Sequence, residues 1–377
     1  MRRIFGFLDA RTTQMGENSH VNPVTTYTSP QRLARERALL LRREPLLVGL
    51  SGDVPEPGSY LVHDAAGVPI LVVRAADGQL RAFLDLCRHR GAQVVAGRGV
   101  GPGRFVCPYH GWTYDDSGAL VGQPCREGFA DLDQAALGLR ALPVAERHGL
   151  IFVRAAAGPP VDVDAHLGGA ERELAPFGLA AYVPFAFVHR AYDINWKLAI
   201  DTFLEAYHVP RLHEGSLSPG ILGTAAAWDS FGRGGRLIAT RRSIENARDR
   251  PEDAWSLLEH AVILYLIFPN TMLIHQIDHV EVVQAYPTAA GADHSTVSFS
   301  LYTPVPVTTE SARSYFQTNF DLLVQVVERE DFTVTTRMQR GFHAADDASV
   351  VYGRNEPGLV HYHRALEAAL AAAPGRP

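Results

Sequence analysis

Cys87, His89, Cys107 and His110 constrain this chain more than any other feature. They fall as Cys87-Arg88-His89, then seventeen residues, then Cys107-Pro108-Tyr109-His110. Two thiolates and two imidazoles in paired short spacings can close around metal. Zinc accepts two Cys and two His. So does a [2Fe–2S] centre of mixed ligation, in which two Cys hold one iron and two His hold the other. The order favours the cluster. Zinc fingers commonly group Cys with Cys and His with His, whereas each half-site here offers one of each. Two loops must do this if each is to reach both irons.

The second half-site continues Gly111-Trp112-Thr113-Tyr114-Asp115, and the first continues Arg90-Gly91. Both resemble the cluster-binding loops of Rieske proteins. The resemblance implies that Trp112 packs near the cluster and that the Tyr114 hydroxyl donates to a cysteine sulfur, a contact that tunes potential. Gly91 and Gly111 are expected to let backbone approach the cluster closely.

The chain has 377 residues, 46% apolar and 20% charged, with a formal net charge of −6. That length suits two domains, and the composition is that of a globular protein. The charge gives no reason to expect nucleic acid or an anionic membrane as partner. Of three cysteines, the metal site uses two. Cys125 is left alone and no disulfide framework is expected. The polar start and the shortness of the longest apolar run, 261–268, argue against a signal peptide or a membrane span. The expected location is cytoplasmic.

Residues 1–45 read as an arm with one helix, started by Ser29-Pro30 and running to about residue 43. Residues 46–158 read as an all-β domain with strands near 60–63, 69–73, 80–84, 105–106 and 150–153. The glycine-rich stretch 97–103 is a connection between the cluster loops, not a phosphate loop, because Pro102 removes a needed donor. Residues 159–377 form the second domain. It holds a short helix near 163–175, a strand near 185–194 and a helix over 196–207. Antiparallel strands come next over 261–268, 272–286 and 295–302, then a long helix over 311–339 and an alanine-rich helical tail over 365–373. Sheet plus long helix gives an α+β domain with the helix laid across a curved sheet.

A second constellation lies in that domain. His208 and His213 are about 140° apart on an unbroken helix, too wide for one metal. Pro210 ends the helix near His208 and lets the chain bring His213 back beside it. Two imidazoles and a carboxylate suit Fe(II). Phe316, Phe320, Leu323, Val327, Val334 and Met338 recur at helical spacing, and Asp331 falls in that stripe. By pattern alone, Asp331 is either a metal ligand or a solvated edge residue paired with Arg337 or Arg340.

Taken together, these motifs resemble the catalytic α subunit of Rieske non-haem iron oxygenases, the aromatic-ring-hydroxylating dioxygenase family. Asn195-Trp196-Lys197 followed by Glu205-x-x-His208-x4-His213 is similar to the family's iron motif. Glu330-Asp331 leading to Gln339-Arg340-Gly341 resembles its third-ligand helix, and 353–358 with His361 and His363 resembles its C-terminal segment. The resemblance implies an all-β Rieske [2Fe–2S] domain followed by a helix-grip (START-like) catalytic domain. It implies Cys87, His89, Cys107 and His110 as cluster ligands, and His208, His213 and Asp331 as ligands of a mononuclear iron. Most members carry Asp three residues before the first iron histidine, where it bridges to a Rieske histidine of the next subunit. This chain has Glu205 there, as do members acting on quaternary ammonium compounds.

The resemblance further implies an enzyme taking NAD(P)H electrons through a separate flavin reductase, with or without a ferredoxin. It would use O2 to place one or both oxygen atoms in a small aromatic or quaternary ammonium substrate, with demethylation as one form. It also implies a homotrimer, with an α-only assembly favoured over one containing a β subunit. His275 and His279, read as sharing a strand face, and an aromatic wall of Trp228, Phe231 and Trp255 are candidates for the pocket. Core packing is the alternative for each of them. The rival readings are an electron carrier and a ligand-binding module without catalytic iron.

Overall fold

The computed structural model describes residues 1–345 and 347–372. The chain forms two compact units. One takes in residues 37–166 and 171–183. The other takes in 1–36, 167–170 and 184 onward. The first 36 residues therefore belong with the long C-terminal part of the chain.

The smaller unit is built of short antiparallel strands. Ala141–Leu142, Leu80–Leu84, Pro69–Arg74, Ser59–Asp64 and Arg98–Val100 form one sheet in that order. Val144–Arg147, Leu150–Arg154 and Pro45–Leu50 form a second. The stretch read as a glycine-rich connection is partly a strand, since Arg98–Val100 pairs with Ser59–Leu61. Arg104–Val106, Thr113–Asp115 and Leu120–Gly122 make a third sheet. Leu71, Val73, Phe83, Phe105, Trp112 and Tyr114 pack into a core that also holds Cys87 and Cys107. The expected metal loops are thus rooted in hydrophobic packing.

In the larger unit a seven-stranded antiparallel sheet runs from Val183–Tyr192 through Ser295–Thr303, Val280–Pro287, Thr271–His275, Ala261–Ile267 and Gly234–Thr240 to Ala227–Phe231. Ala261–Ile267, Thr271–His275 and Val280–Pro287 are buried at every residue. Their near-continuous apolar runs fit strands covered on both faces. The long helix crosses this unit as Glu310–Val326, a π-helical turn Val327–Asp331, and Phe332–Ala344. The tail is a helix over Pro357–Ala372; Ala373 lies outside the described residues. Among the described residues no helix is long and apolar enough to cross a membrane.

Local reading overestimated helix length in two places, and the first expected helix ends close to its expected bound but changes type. The helix begun at Ser29-Pro30 is α-helical over Pro30–Glu36 and π-helical over Arg37–Leu41, with Ser29 Oγ accepting from Arg32 N–H at 3.2 Å. The helix near 163–175 is two pieces, Val163–Leu167 and Glu171–Leu174, divided at Gly168 and Gly169, whose φ values are +60° and +110°. Asn195 caps the third helix through Lys197 N–H at 3.0 Å, but that helix stops at Asp201 rather than at 207.

Candidate metal centres

The two loops of the smaller unit share one backbone pattern despite their different spacing. Gly91 N–H donates to Cys87 O at 2.9 Å, and Cys87 N–H donates to Ala92 O at 2.8 Å. Gly111 N–H donates to Cys107 O at 3.0 Å, and Cys107 N–H donates to Trp112 O at 2.8 Å. Gly91 and Gly111 have φ of +77° and +71°. The left-handed turn by itself calls for glycine at both positions. The loops bring His89 Nδ1 and His110 Nδ1 to 3.1 Å, and the two thiols are neighbours. Two facing imidazole nitrogens beside two thiols is the donor set of a Rieske cluster.

Trp112 stacks on His89 with centroids 5.0 Å apart, and Phe129 meets both rings edge-on. Arg88 N–H donates to the Tyr114 hydroxyl oxygen at 2.9 Å. That leaves the hydroxyl proton free for Cys87 Sγ, 3.3 Å away. Burial, then the contact with Cys87, raises the Tyr114 pKa, so the donor keeps its proton. A hydrogen bond to sulfur stabilises the reduced cluster. Tyr114→Phe is therefore expected to lower the cluster potential by roughly 50 mV, read by voltammetry; an unchanged potential would mean the bond is not made.

In the larger unit a short helix, Val209–Leu212, separates His208 before it from His213 after it. This one turn brings the rings to a centroid distance of 5.0 Å. Pro210 sits in its first turn, where a missing N–H costs nothing, so proline shapes this turn instead of ending an earlier helix. Asp331 Oδ1 lies 3.6 Å from His208 Nε2 and 3.4 Å from His213 Nε2. One donor atom from each of the three residues lies within 4.8 Å of the others. Burial opposes charge on His213, yet Asp331 and Glu330 outweigh it and raise its pKa. The site calls for positive charge, as a divalent metal would supply. Glu205 bonds His208 Nδ1 through one oxygen, and its other oxygen accepts from the amides of Tyr207 and His208.

A cavity of about 290 Å³ adjoins these residues, lined by Glu205, His208, His213 and Asp331 among others. His279 lines it. His275 does not: residues 276–279 turn between two strands, so the two histidines share no strand face. His275 Nδ1 pairs with the Gln276 backbone oxygen at 2.6 Å. The expected aromatic wall is absent among the described lining residues. Trp228 lies against Gly235, where a Cβ would come within 2.1 Å of its ring, and lines a different cavity. The Arg236 guanidinium covers Phe231 at 5.8 Å, and Trp255 packs on Phe5 at 5.2 Å. All three are packing residues.

Residues 44–139 match the Rieske [2Fe-2S] domain, and residues 179–372 match the ring hydroxylating alpha subunit (catalytic domain). The chain belongs to the Rieske oxygenase family. Its cofactors are a Rieske [2Fe–2S] cluster and a mononuclear iron. The glycine betaine monooxygenase oxygenase subunit of Chromohalobacter salexigens is 33% identical over 215 residues, 56% of this chain and 46% of that one. The chain thus spans about half the length of that relative. The chloroplastic choline monooxygenase of Spinacia oleracea is 25% identical over 362 residues, 94% of this chain and 79% of that one. A solved quaternary ammonium Rieske monooxygenase superposes with TM-score 0.80 at 20% identity, covering 93% and 95% of the two chains. A naphthalene 1,2-dioxygenase superposes with TM-score 0.75 at 20% identity, covering 93% and 92%. At that identity the likeness shows the fold.

One site residue of this chain escaped the sequence reading. Glu330 Oε2 meets His213 Nδ1 at 2.7 Å and accepts from Ser216 Oγ at 2.8 Å. Glu330 and Asp331 thus grip opposite nitrogens of one imidazole. The only signal was the paired carboxylate beside the expected ligand. A carboxylate on the far nitrogen fixes ring orientation and raises basicity. Glu330→Gln is expected to weaken iron binding about 10- to 100-fold, measured by chelator competition, with the cluster spectrum unchanged. Equal iron affinity in the variant would leave Glu330 without this role.

Proposed function

We propose that the chain is the terminal oxygenase of a multicomponent system, hydroxylating a small organic substrate. The convergence of His208, His213 and Asp331 beside a cavity carries the reading. In it, Cys87, His89, Cys107 and His110 hold the cluster, and the three converging residues hold the iron. When bound, these groups supply single electrons and the activation of O2 for insertion into a C–H or ring carbon.

The chain's own residues then have distinct tasks. Trp112 and Phe129 pack the cluster loops, and Tyr114 donates to Cys87 sulfur. Glu330 orients His213. Glu205 holds the His208 Nδ1 proton and is the residue we assign to the path from a neighbouring subunit's cluster. That path makes a homotrimer the working assembly. A flavin reductase, with or without a ferredoxin, supplies the electrons from NAD(P)H. The relatives bring two substrate classes: glycine betaine and choline on one side, biphenyl and naphthalene on the other. The test is O2 uptake and product mass with a surrogate reductase across both classes. Uptake coupled to a product heavier by oxygen, or to a demethylated product, is expected; reduction of the cluster without product in any case would favour a carrier.

A further inference from the structure

The cavity beside His208, His213 and Asp331 has mainly aliphatic walls, including Leu217, Ile221, Leu237, Leu264, Ile274 and Leu323. Its aromatic lining is Phe203 and Tyr315, and Tyr315 is 50% exposed. A quaternary ammonium is held by aromatic faces around the cation, each within about 6 Å. Two rings, one half in solvent, do not build that cage.

The polar lining is concentrated in a chain of side chains. Arg241 Nη2 donates to Gln276 Oε1 at 2.6 Å, and Gln276 Nε2 donates to Glu281 Oε2 at 3.1 Å. Glu281 Oε1 faces His279 Nε2 at 3.5 Å, and His279 Nδ1 meets Asp278 Oδ1 at 2.7 Å. Burial opposes charge on His279, but Glu281 and Asp278 outweigh it and raise its pKa. The two carboxylates are therefore met by His279 and Gln276. Arg241 is treated differently. Its Nε donates to Ala261 O at 3.4 Å, and among the described residues no carboxylate makes a direct ion pair with it, Glu281 being reached only through Gln276. Burial lowers its pKa, which measures what the guanidinium loses in leaving water. Glu281 and Asp278 act on the guanidinium from beyond ion-pair distance and do not offset its burial, so a desolvated cation with no carboxylate in direct contact leaves room for a ligand to supply one. Arginine's fork suits a carboxylate in two-point contact.

We infer that the substrate is a small apolar acid, its carboxylate seated on Arg241 and its uncharged body against the aliphatic walls. At about 290 Å³ the cavity is at the low end for ligand pockets, so a single ring or a short chain fits. The inference rests on the proposed oxygenase function only for the chemistry after binding.

The test is calorimetric titration of the holoenzyme with benzoate, phenylacetate, 3-phenylpropanoate and hexanoate, their neutral amides, and glycine betaine. At least one acid is expected to bind about ten-fold or more tightly than its amide. Arg241→Gln should erase that preference and Arg241→Lys should keep part of it. The comparison of acid with amide on the unaltered protein stands even if a variant fails to fold. Failure of every acid to bind, equal binding of acid and amide, or preference for glycine betaine overturns the inference. Oxygen uptake separates the two readings. An acid that binds without being oxygenated counts against the oxygenase function alone. Turnover of glycine betaine without acid binding counts against the apolar acid alone.

Discussion

Asp331→Ala is expected to abolish oxygenation while leaving the Rieske absorption spectrum intact. Asp331 supplies the only carboxylate oxygen close to both His208 Nε2 and His213 Nε2 among the described residues. Without it two imidazoles remain, and two neutral nitrogens hold Fe(II) far less well than the two-histidine, one-carboxylate set. The loss in iron affinity should exceed the roughly 10- to 100-fold typical of residues that only support a ligand. The cluster loops lie in the other compact unit and make their own hydrogen bonds, so their spectrum should not move. Retained turnover in Asp331→Ala would remove it from the ligand set.

The largest stability effect is expected at Glu36. Its carboxylate and the Lys197 ammonium are wholly buried, 2.8 Å apart. The same carboxylate accepts from Trp196 Nε1 at 3.0 Å and pairs with Arg32 at 2.8 Å. Burial, the leading influence, lowers the Lys197 pKa, with Glu36 opposing it. Removing one partner of a buried pair strands the other charge, at a cost of about 3–5 kcal/mol. Glu36→Ala strands Lys197 and frees Trp196 and Arg32 together. Lys197→Met should cost less, because Arg32 and Trp196 still satisfy the carboxylate. Denaturant melts of the two variants check the order. A Glu36→Ala protein within about 1 kcal/mol of the original would mean that water or another group replaces the carboxylate. The pair matters for function as well as stability, since it anchors the Trp196–Asp201 helix that leads to His208.

The cluster loops were legible because their information is local: ligands and glycine fall within five residues in each half-site, and Trp112 and Tyr114 follow directly in the second. His208 and His213 were legible as a pair, but the reason for their convergence was not. The sequence 202–207 is made of acceptable helix formers, yet the helix ends at Asp201. The Glu205 carboxylate takes the amides of Tyr207 and His208, standing in for helical carbonyls. A side chain acting as cap outcompeted propensity.

Asp331 was ambiguous for a related reason. The apolar stripe presumed one regular helix, and the π-helical turn at Val327–Asp331 shifts the face partway along. Met338 is consequently 45% exposed although it continues the stripe. Such turns often sit at functional sites, and here the turn places Glu330 and Asp331 on one histidine. The pocket was least legible. Period-two reasoning assigned His275 to it, but a turn at 276–279 intervened, and Arg241 just beyond its strand gave no periodic signal at all.

Iron and acid-labile sulfide analysis of the purified holoprotein tests the central claim of two centres in one chain. About three irons and two sulfides per chain are predicted, two irons in the cluster and one at His208, His213 and Asp331. A limit of about two irons after loading with excess Fe(II) would contradict it and leave an electron carrier.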